Sequence, residues 1–178
     1  MQGIVFSQLS NMVIEQFGMQ FWNEVLEATA PDSQGVYTAS AQYDDSELFA
    51  LVTTLSEKTK MPVEDLVRAF GEFLFPKLLM HLPFSFENHT MKDFLQEVDQ
   101  VIHKEVERMY PGVYLPKIHC IDTGEKSLTL VYHSKRKLCH LAEGLIYGAA
   151  KHFSSQVTLN HAQCMHRGDE DCHLLLEF

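Results

Sequence analysis

The sequence lacks several features that mark common functional classes. No apolar run is long enough to cross a bilayer, and no basic leader with a cleavage site opens the chain. Basic residues are also few, because 14 Lys and Arg stand against 24 Asp and Glu, a formal net charge of -10. An acidic chain repels a nucleic-acid backbone and an anionic membrane surface. We therefore expect a cytoplasmic protein that neither binds nucleic acid nor inserts into a membrane.

Catalytic signatures are missing as well. The chain contains no phosphate-binding loop, no nucleophile elbow and no metal-hydrolase motif, so we predict that it is not an enzyme. What it does contain is a hydrophobic content of 46% in 178 residues, enough for a sizeable core. Without an internal repeat or a low-complexity linker, residues 1–178 are predicted to form a single domain.

Hydrophobic periodicity divides the chain into two parts. Helical spacing recurs in the N-terminal part, at residues 5–26, 46–58, 62–79 and 91–110. Beyond Pro116 the pattern predicts strands near 118–121 and 128–132 with a turn at 122–124, a helix over 138–153, and strands near 156–160 and 173–178. The predicted fold class is therefore α+β, with a helical N-terminal subdomain packed on a C-terminal α/β subdomain that holds an antiparallel sheet.

His103 lies on the last predicted helix of the N-terminal part. On a helical wheel it borders the apolar stripe that contains Ile102 and Val106, so its imidazole can reach into a pocket. A neutral imidazole at such a place is a suitable ligand for a metal, for example the iron of a haem. A half-buried core histidine is the alternative, and helix position alone favours that alternative.

A row of polar residues follows at Tyr132, Ser134 and Arg136. In an extended strand these three side chains project to the same side, where two hydroxyls and a guanidinium suit carboxylates such as the haem propionates. An ordinary solvated strand face gives the same alternation. The pattern by itself leaves both interpretations open.

Together these features resemble the haem nitric oxide/oxygen-binding (H-NOX) family, whose members include the sensor domain of soluble guanylate cyclase and stand-alone bacterial sensors. The resemblance covers the whole chain. It rests on the chain length and on four motifs, which are Met1-x-Gly3-x-x-Phe6, the His103 helix, Tyr110-Pro111-Gly112 with Pro116, and Tyr132-x-Ser134-x-Arg136. Tyr-x-Ser-x-Arg is a weak pattern alone, but the ordered combination is specific.

The resemblance implies a cofactor and a role for several residues. It implies that His103 is the iron ligand, that Tyr132, Ser134 and Arg136 hold the propionates, and that the haem lies between the two subdomains. It also implies that Pro116 packs against the macrocycle and distorts it, together with Val5 and Leu145. The cofactor is expected to be haem b, because no Cys-x-x-Cys-His motif offers covalent attachment.

Gas selectivity in the family depends on the distal side of the haem. Members that hold oxygen have a distal tyrosine, and the matching position here is Leu141. The resemblance thus implies binding of nitric oxide and CO but no stable oxygen complex. Tyr147 on the same helix is the alternative donor, although helical spacing puts it on another side.

A second metal site is predicted from four residues, Cys139, His161, Cys164 and Cys172. A Cys₃His set is typical of structural zinc sites, and Gly168-Asp169 offers a turn that brings two of the sulfurs together. The alternatives are free buried cysteines, or His140, His166 or His173 as the nitrogen ligand. Because zinc thiolates are oxidisable, the site is also a candidate redox sensor. Cys120 is outside the set and is expected to be a plain buried thiol.

The family's bacterial members pair with a histidine kinase or a cyclic-di-GMP enzyme, and the resemblance implies such a partner here. A different class of function stays open at the level of sequence. A non-haem, zinc-binding or small-molecule-binding regulatory module of the vinyl-reductase-like type also carries a C-terminal Gly-Asp…Cys pattern.

Overall fold

The computed structural model describes all 178 residues, with helices before residue 110 and a sheet with one helix after it. The helices are α1 (Gly3–Phe17), α2 (Met19–Thr29), α3 (Asp45–Thr59), α4 (Val63–Leu79), α5 (Met91–Glu97), a π-helical segment (Val98–His103), α6 (Lys104–Met109) and α7 (Cys139–His152). The strands are β1 (Lys117–Gly124), β2 (Ser127–His133), β3 (Thr158–Gln163) and β4 (Cys172–Glu177), with one 3₁₀ turn at Met165–Arg167. None of the helices combines the length and the apolarity that a membrane span requires.

The four strands form one antiparallel sheet in the order β1-β2-β4-β3. Along β2 every second residue is buried, namely Leu128, Leu130 and Tyr132, as expected for a strand with one face on the core. These side chains share a hydrophobic cluster with Ile146 and Ala149 of α7. The predicted α+β class, with a helical N-terminal part and an α/β C-terminal part, is confirmed.

The hairpin between β1 and β2 differs from the prediction in its turn. Asp122 still pairs with Leu128, and the chain reverses only at residues 125–126. Lys92 of α5 explains the shift, because its ammonium donates to the Asp122 carboxylate (2.9 Å) and to the Gly124 carbonyl (2.6 Å). The predicted turn at 122–124 is therefore wrong, since these residues extend the strand against α5.

The helix predicted over 91–110 is present but is not uniform. It begins with a capping box, in which the Thr90 hydroxyl accepts from the Asp93 backbone and the Asp93 side chain accepts from the Thr90 backbone. After Glu97 the segment Val98–His103 is π-helical, and the regular helix resumes until Met109. Neither the π-helical segment nor α6 contains a fully buried residue. Five of these residues, Val98, Ile102, His103, Val106 and Met109, line a cavity.

Two hydrophobic cores lie on either side of α7. One core is built by α1 to α4 and includes Phe6, Leu51 and Phe70, and the other lies between α7, α5 and the sheet. Leu145 of α7 packs against both. Helix α7 is consequently the element that joins the two subdomains.

Helices α4 and α7 approach each other so closely that their backbones touch. A β-carbon on Gly144 would lie 2.0 Å from the carbonyl oxygen of Arg68, and one on Gly71 would lie 2.4 Å from the carbonyl oxygen of Leu141. Both distances are far below van der Waals contact, so only glycine fits at either position. The contact fixes which residues of α4 face which residues of α7.

We expect Gly144→Ala to lower the free energy of unfolding by about 2–3 kcal/mol, because the new methyl group overpacks a backbone contact that cannot relax by side-chain rotation. Urea unfolding measures the effect. Lys151→Ala, an exposed site on the same helix, is the control and should change stability by no more than about 0.5 kcal/mol. Equal stabilities of the Gly144→Ala variant and the wild type would contradict the close contact.

Candidate functional site

A cavity of about 310 Å³ lies between the two subdomains. Its walls are α4 and α7 on one side and α5, the π-helical segment, α6 and residues 113–116 on the other. Of its 32 lining residues 26 are hydrophobic. An apolar cavity with a few polar groups is the usual form of a site for a cofactor or small molecule.

All eight residues predicted to contact a cofactor lie on the wall of this cavity. They are Val5, His103, Pro116, Tyr132, Ser134, Arg136, Leu141 and Leu145. Their separation along the chain means that the fold, and not local sequence, brings them together.

His103 ends the π-helical segment, and its side chain is only 16% exposed. Its Nδ1 atom is buried without a hydrogen-bond partner, and the nearest carboxylate oxygen, from Asp99, is 3.5 Å away. Burial lowers the pKa of His103 and outweighs the opposing effect of Asp99. The imidazole is therefore neutral at physiological pH, which is the form that ligates a metal.

Hydrogen-bond donors gather at one corner of the cavity. Burial raises the pKa of Tyr132 to about 12, so its hydroxyl keeps its proton, and that oxygen accepts from the Leu138 backbone at 3.1 Å. The Ser134 hydroxyl oxygen likewise accepts from a backbone N–H, that of Arg136 at 3.2 Å. The Ser134 hydroxyl is also within hydrogen-bonding reach of the Tyr132 and Tyr114 hydroxyls. Such a group of hydroxyls can turn a hydrogen towards a carboxylate at this corner.

Arg136 is held in place by residues that the sequence pattern did not reveal. Its Nε donates to Asp45 at 2.5 Å, and one terminal nitrogen donates to the backbone carbonyl of Tyr114 at 2.7 Å. The guanidinium also lies over the Tyr114 ring, 4.7 Å from its centre. Burial alone would raise the pKa of Asp45, but Arg136 and the N-terminal ammonium of Met1 together outweigh burial and lower it. The second terminal nitrogen of Arg136 forms no hydrogen bond within the protein.

The predicted strand geometry of this corner is wrong. Strand β2 ends at His133, and Ser134 begins a turn in which its carbonyl accepts from the Lys137 backbone. Ser134 and Arg136 therefore do not continue the alternation of the strand. The turn nevertheless brings both residues to the cavity wall beside Tyr132.

Helices α4 and α7 contribute only apolar side chains to the cavity. The residues of α4 and α7 that line the cavity are Leu74, Phe75, Leu78, Leu79, Leu141, Ala142, Leu145 and Ile146. Tyr147 instead lines a separate shallow depression with Glu72 and Lys151. The alternative in which Tyr147 supplies a donor to the cavity is thus contradicted.

The four predicted zinc ligands also meet in space. One ligand atom from each of Cys139, His161, Cys164 and Cys172 lies within 4.8 Å of every other. The three cysteines are free and buried, and the sulfurs of Cys139 and Cys164 are 3.8 Å apart. Burial raises the pKa of Cys139 and of Cys172, so both are protonated thiols at neutral pH without a bound metal.

His161 completes this group, which we call the Cys₃His cluster. Its Nε2 is buried and has no hydrogen-bond partner, whereas its Nδ1 contacts the carboxylate of Glu143. Of the alternative nitrogen ligands, His140 and His166 group only with Cys139 among the cysteines. An unpaired imidazole nitrogen beside three thiols is the donor set that zinc prefers.

Glu143 was not found from the sequence. It is 3% exposed and is the one buried carboxylate of the chain. Burial opposes its ionisation, but hydrogen bonds from its basic neighbours, first of all His140 and Arg68, lower its pKa to about 2. Cys120 lies outside the cluster, donates to the Leu95 carbonyl at 3.3 Å, and has its pKa raised by burial to about 11, as a plain thiol does.

Solved structures with the same fold include two bacterial proteins. An H-NOX protein from S. oneidensis in the Fe(II)NO ligation state is 39% identical, with a TM-score of 0.93 and coverage of 99% of this chain and 98% of that one. The Fe(II) unliganded H-NOX protein from K. algicida is 26% identical, with a TM-score of 0.87 and coverage of 99% and 96%.

Among curated proteins, the soluble guanylate cyclase gcy-32 of Caenorhabditis elegans is 24% identical over 173 residues, which is 89% of this chain. The chain spans only about a quarter of the length of that relative, 24%. Residues 2–161 match the family model described as Haem-NO-binding. The chain therefore belongs to the Haem-NO-binding (H-NOX) family of haem-based gas sensors.

Proposed function

We propose that this chain senses nitric oxide through a haem b whose iron is ligated by His103. The observation that carries the proposal is a single apolar cavity that holds a buried neutral imidazole and a corner of hydrogen-bond donors. Haem matches this arrangement because it combines an apolar macrocycle, an iron that accepts one imidazole nitrogen, and two carboxylates. Membership of the family supports the same cofactor.

The donor corner is proposed to hold the propionates. Tyr132 and Ser134 offer neighbouring hydroxyl groups, and Arg136 has a terminal nitrogen that no protein group uses. Charge-assisted bonds of this kind replace the water that a carboxylate loses on burial. Asp45 holds the guanidinium in position through its Nε, and this leaves the terminal nitrogen available.

Three apolar residues are proposed to pack on the macrocycle. Pro116 follows α6, Leu145 is on α7, and Val5 is on α1, and all three line the cavity. We propose that these residues would pack against a bound macrocycle from different elements and so constrain its shape.

The apolar helical wall supports selectivity for nitric oxide and CO over oxygen. Haem supplies a ferrous iron that binds diatomic gases. Bound oxygen is polarised and needs a hydrogen-bond donor, whereas nitric oxide and CO depend on a donor far less. Leu141, which the family resemblance matches to the distal tyrosine of oxygen-binding members, lines the cavity, and the other α4 and α7 residues there offer no donor.

His103 is proposed to pass the signal to the protein. A haem would supply an iron whose attachment to an imidazole is weakened by nitric oxide, and His103 would be that attachment. His103 ends the π-helical segment, and Val98 and Ile102 of the same segment also line the cavity. A change at His103 would therefore be passed to this segment.

Residues 1–178 are proposed to act as one sensor domain that regulates a separate protein. Helix α7 belongs to both cores, which supports a single folding unit. No catalytic constellation accompanies the cavity, so the sensor is proposed to be non-enzymatic. We also propose that it acts in the cytoplasm. A histidine kinase or a cyclic-di-GMP enzyme is the proposed partner.

His103→Gly should remove the iron–histidine stretching band from the resonance Raman spectrum of the ferrous haem protein, and added imidazole should restore it. His81→Gly is the matched control, because His81 also lines the cavity but is exposed, and it should leave the band unchanged. An unaltered band in the His103→Gly variant would show that another residue ligates the iron. A colourless wild-type protein that binds zinc but refuses added haem would support the non-haem alternative.

Leu141→Tyr is expected to slow oxidation of the ferrous haem in air by at least about tenfold, because the phenol hydroxyl is worth about 1.4 kcal/mol or more to bound oxygen. The wild type should show no stable oxygen spectrum. Leu141→Phe has the same shape without the hydroxyl and should behave as the wild type does. A wild-type protein that holds oxygen in air would refute the proposed selectivity.

The Cys₃His cluster supports a second function, zinc binding with a response to oxidants. Four donors within 4.8 Å suit a closed tetrahedral site, and zinc there would tie α7 to the β3–β4 hairpin. Oxidation of the thiolates releases the metal. Loss of zinc would then free the hairpin from α7 and give the sensor a redox input.

Zinc analysis of the purified protein should find about one zinc per chain, lost in Cys139→Ser and retained in Cys120→Ser. Peroxide should release the zinc from the wild type, together with a change in partner regulation. Equal zinc content in the two variants would place the metal elsewhere, and zinc that survives peroxide would exclude the redox role.

A further inference from the structure

Glu143 has an unusual environment for a carboxylate. It projects from α7, is 3% exposed, and faces three basic side chains at once. Arg68 of α4 donates to its Oε2 at 2.7 Å, while His161 and His140 contact its Oε1, the latter at 3.3 Å. A buried charge is tolerated only when it is paired in this way. The cavity described above does not include Glu143, so its burial needs a different explanation.

The contact between α4 and α7 places Arg68 beside this carboxylate. The carbonyl of Arg68 lies against Gly144, which follows Glu143 directly. This close contact holds the partly exposed Arg68 side chain within hydrogen-bond distance of the buried Oε2. Arg68 also donates to Asp65 at 2.6 Å, so its own position is fixed from two directions.

On the other side, Glu143 determines which nitrogen of His161 is available. The carboxylate accepts at Nδ1, and this requires the proton to be on Nδ1. The lone pair of the neutral ring is then on Nε2, which is buried and has no hydrogen-bond partner. One ring nitrogen of His161 lies within 4.8 Å of the three cysteine sulfurs, and Nε2 is the nitrogen that Glu143 leaves available. Metal-bound histidines commonly donate their second nitrogen to a carboxylate, which orients the ring and makes the ligating nitrogen more basic.

We propose that Glu143 is the positioning residue of the Cys₃His cluster, which selects Nε2 of His161 as the zinc ligand and anchors that ligand to α4 through Arg68. The inference rests on the zinc site proposed above. Zinc with three thiolates and a neutral imidazole would carry one net negative charge. The Glu143 carboxylate adds a second negative charge close by, and the Arg68 guanidinium is the counter-ion that offsets it. Arg68 is therefore part of the same arrangement.

The experiment measures the zinc affinity of the full chain by competition with a chromophoric chelator. Glu143→Ala should weaken zinc binding about 100-fold, and Glu143→Gln about 10-fold, because the amide oxygen still accepts from Nδ1 but carries no charge. Arg68→Met should also weaken binding. Glu72→Gln is the matched control, since Glu72 pairs with Lys151 and also bridges α4 and α7, far from the cysteines, and it should bind zinc as the wild type does.

If Glu143 had only a structural role, its replacement would leave the ligands of the metal unchanged. A second readout is therefore the visible spectrum of the cobalt-substituted protein, which reports on those ligands. Glu143→Ala should alter it, and Glu143→Gln should preserve it in part. Glu143→Gln keeps the shape of the side chain and carries the test if Glu143→Ala does not fold. Wild-type zinc affinity in both Glu143 variants overturns this inference and leaves the zinc site intact. A wild type that binds no zinc overturns both.

Discussion

The backbone contact between α4 and α7 is the constraint on which both candidate sites depend. Gly71 and Gly144 permit it, and a side chain at either position would collide with the opposite backbone. From this crossing α7 presents Leu141 and Leu145 to the cavity, Cys139 to the Cys₃His cluster, and Glu143 to Arg68. One rigid crossing thus positions the apolar wall and the Cys₃His cluster together. Displacing it would disturb both.

The cavity combines two requirements that oppose each other. A macrocycle needs apolar walls, but the carboxylates and iron of a haem need polar partners, and unpaired polar groups in an apolar wall are costly. The fold separates the two needs in space. His103 lies at the end of the π-helical segment, and the donor corner lies at the end of β2. The cavity-lining residues of α4 and α7 are all apolar. Arg136, the charged side chain of the donor corner, is paired with Asp45.

Sequence patterns located what depends on local spacing. The apolar period placed His103 on a helix, and the α+β order of elements followed from the change of period at Pro116. The cysteine and histidine spacing predicted a set that the fold does bring together. The eight residues predicted to contact a cofactor all line one cavity.

What the sequence concealed depends on contacts between distant residues. Asp45 and Arg136 are 91 residues apart, and Arg68 and Glu143 are 75 apart, so no local spacing links either pair. The π-helical segment could not be predicted from the sequence, because the spacing of its apolar residues also fits an α-helix. The hairpin turn was misplaced because Asp-Thr-Gly favours a turn locally, whereas Lys92 of α5 keeps those residues in the strand. In each case a tertiary contact overrode a local preference.

The close contact of α4 and α7 also limits how the cavity can change shape. The two helices touch backbone to backbone at Gly71 and Gly144, so neither can shift without a steric clash. The segment Val98–Met109 contains no glycine and makes no contact of this kind, and Val98, Ile102 and His103 line the same cavity. A change of shape inside the cavity would therefore meet a fixed frame at α4 and α7 and be taken up on the side of His103.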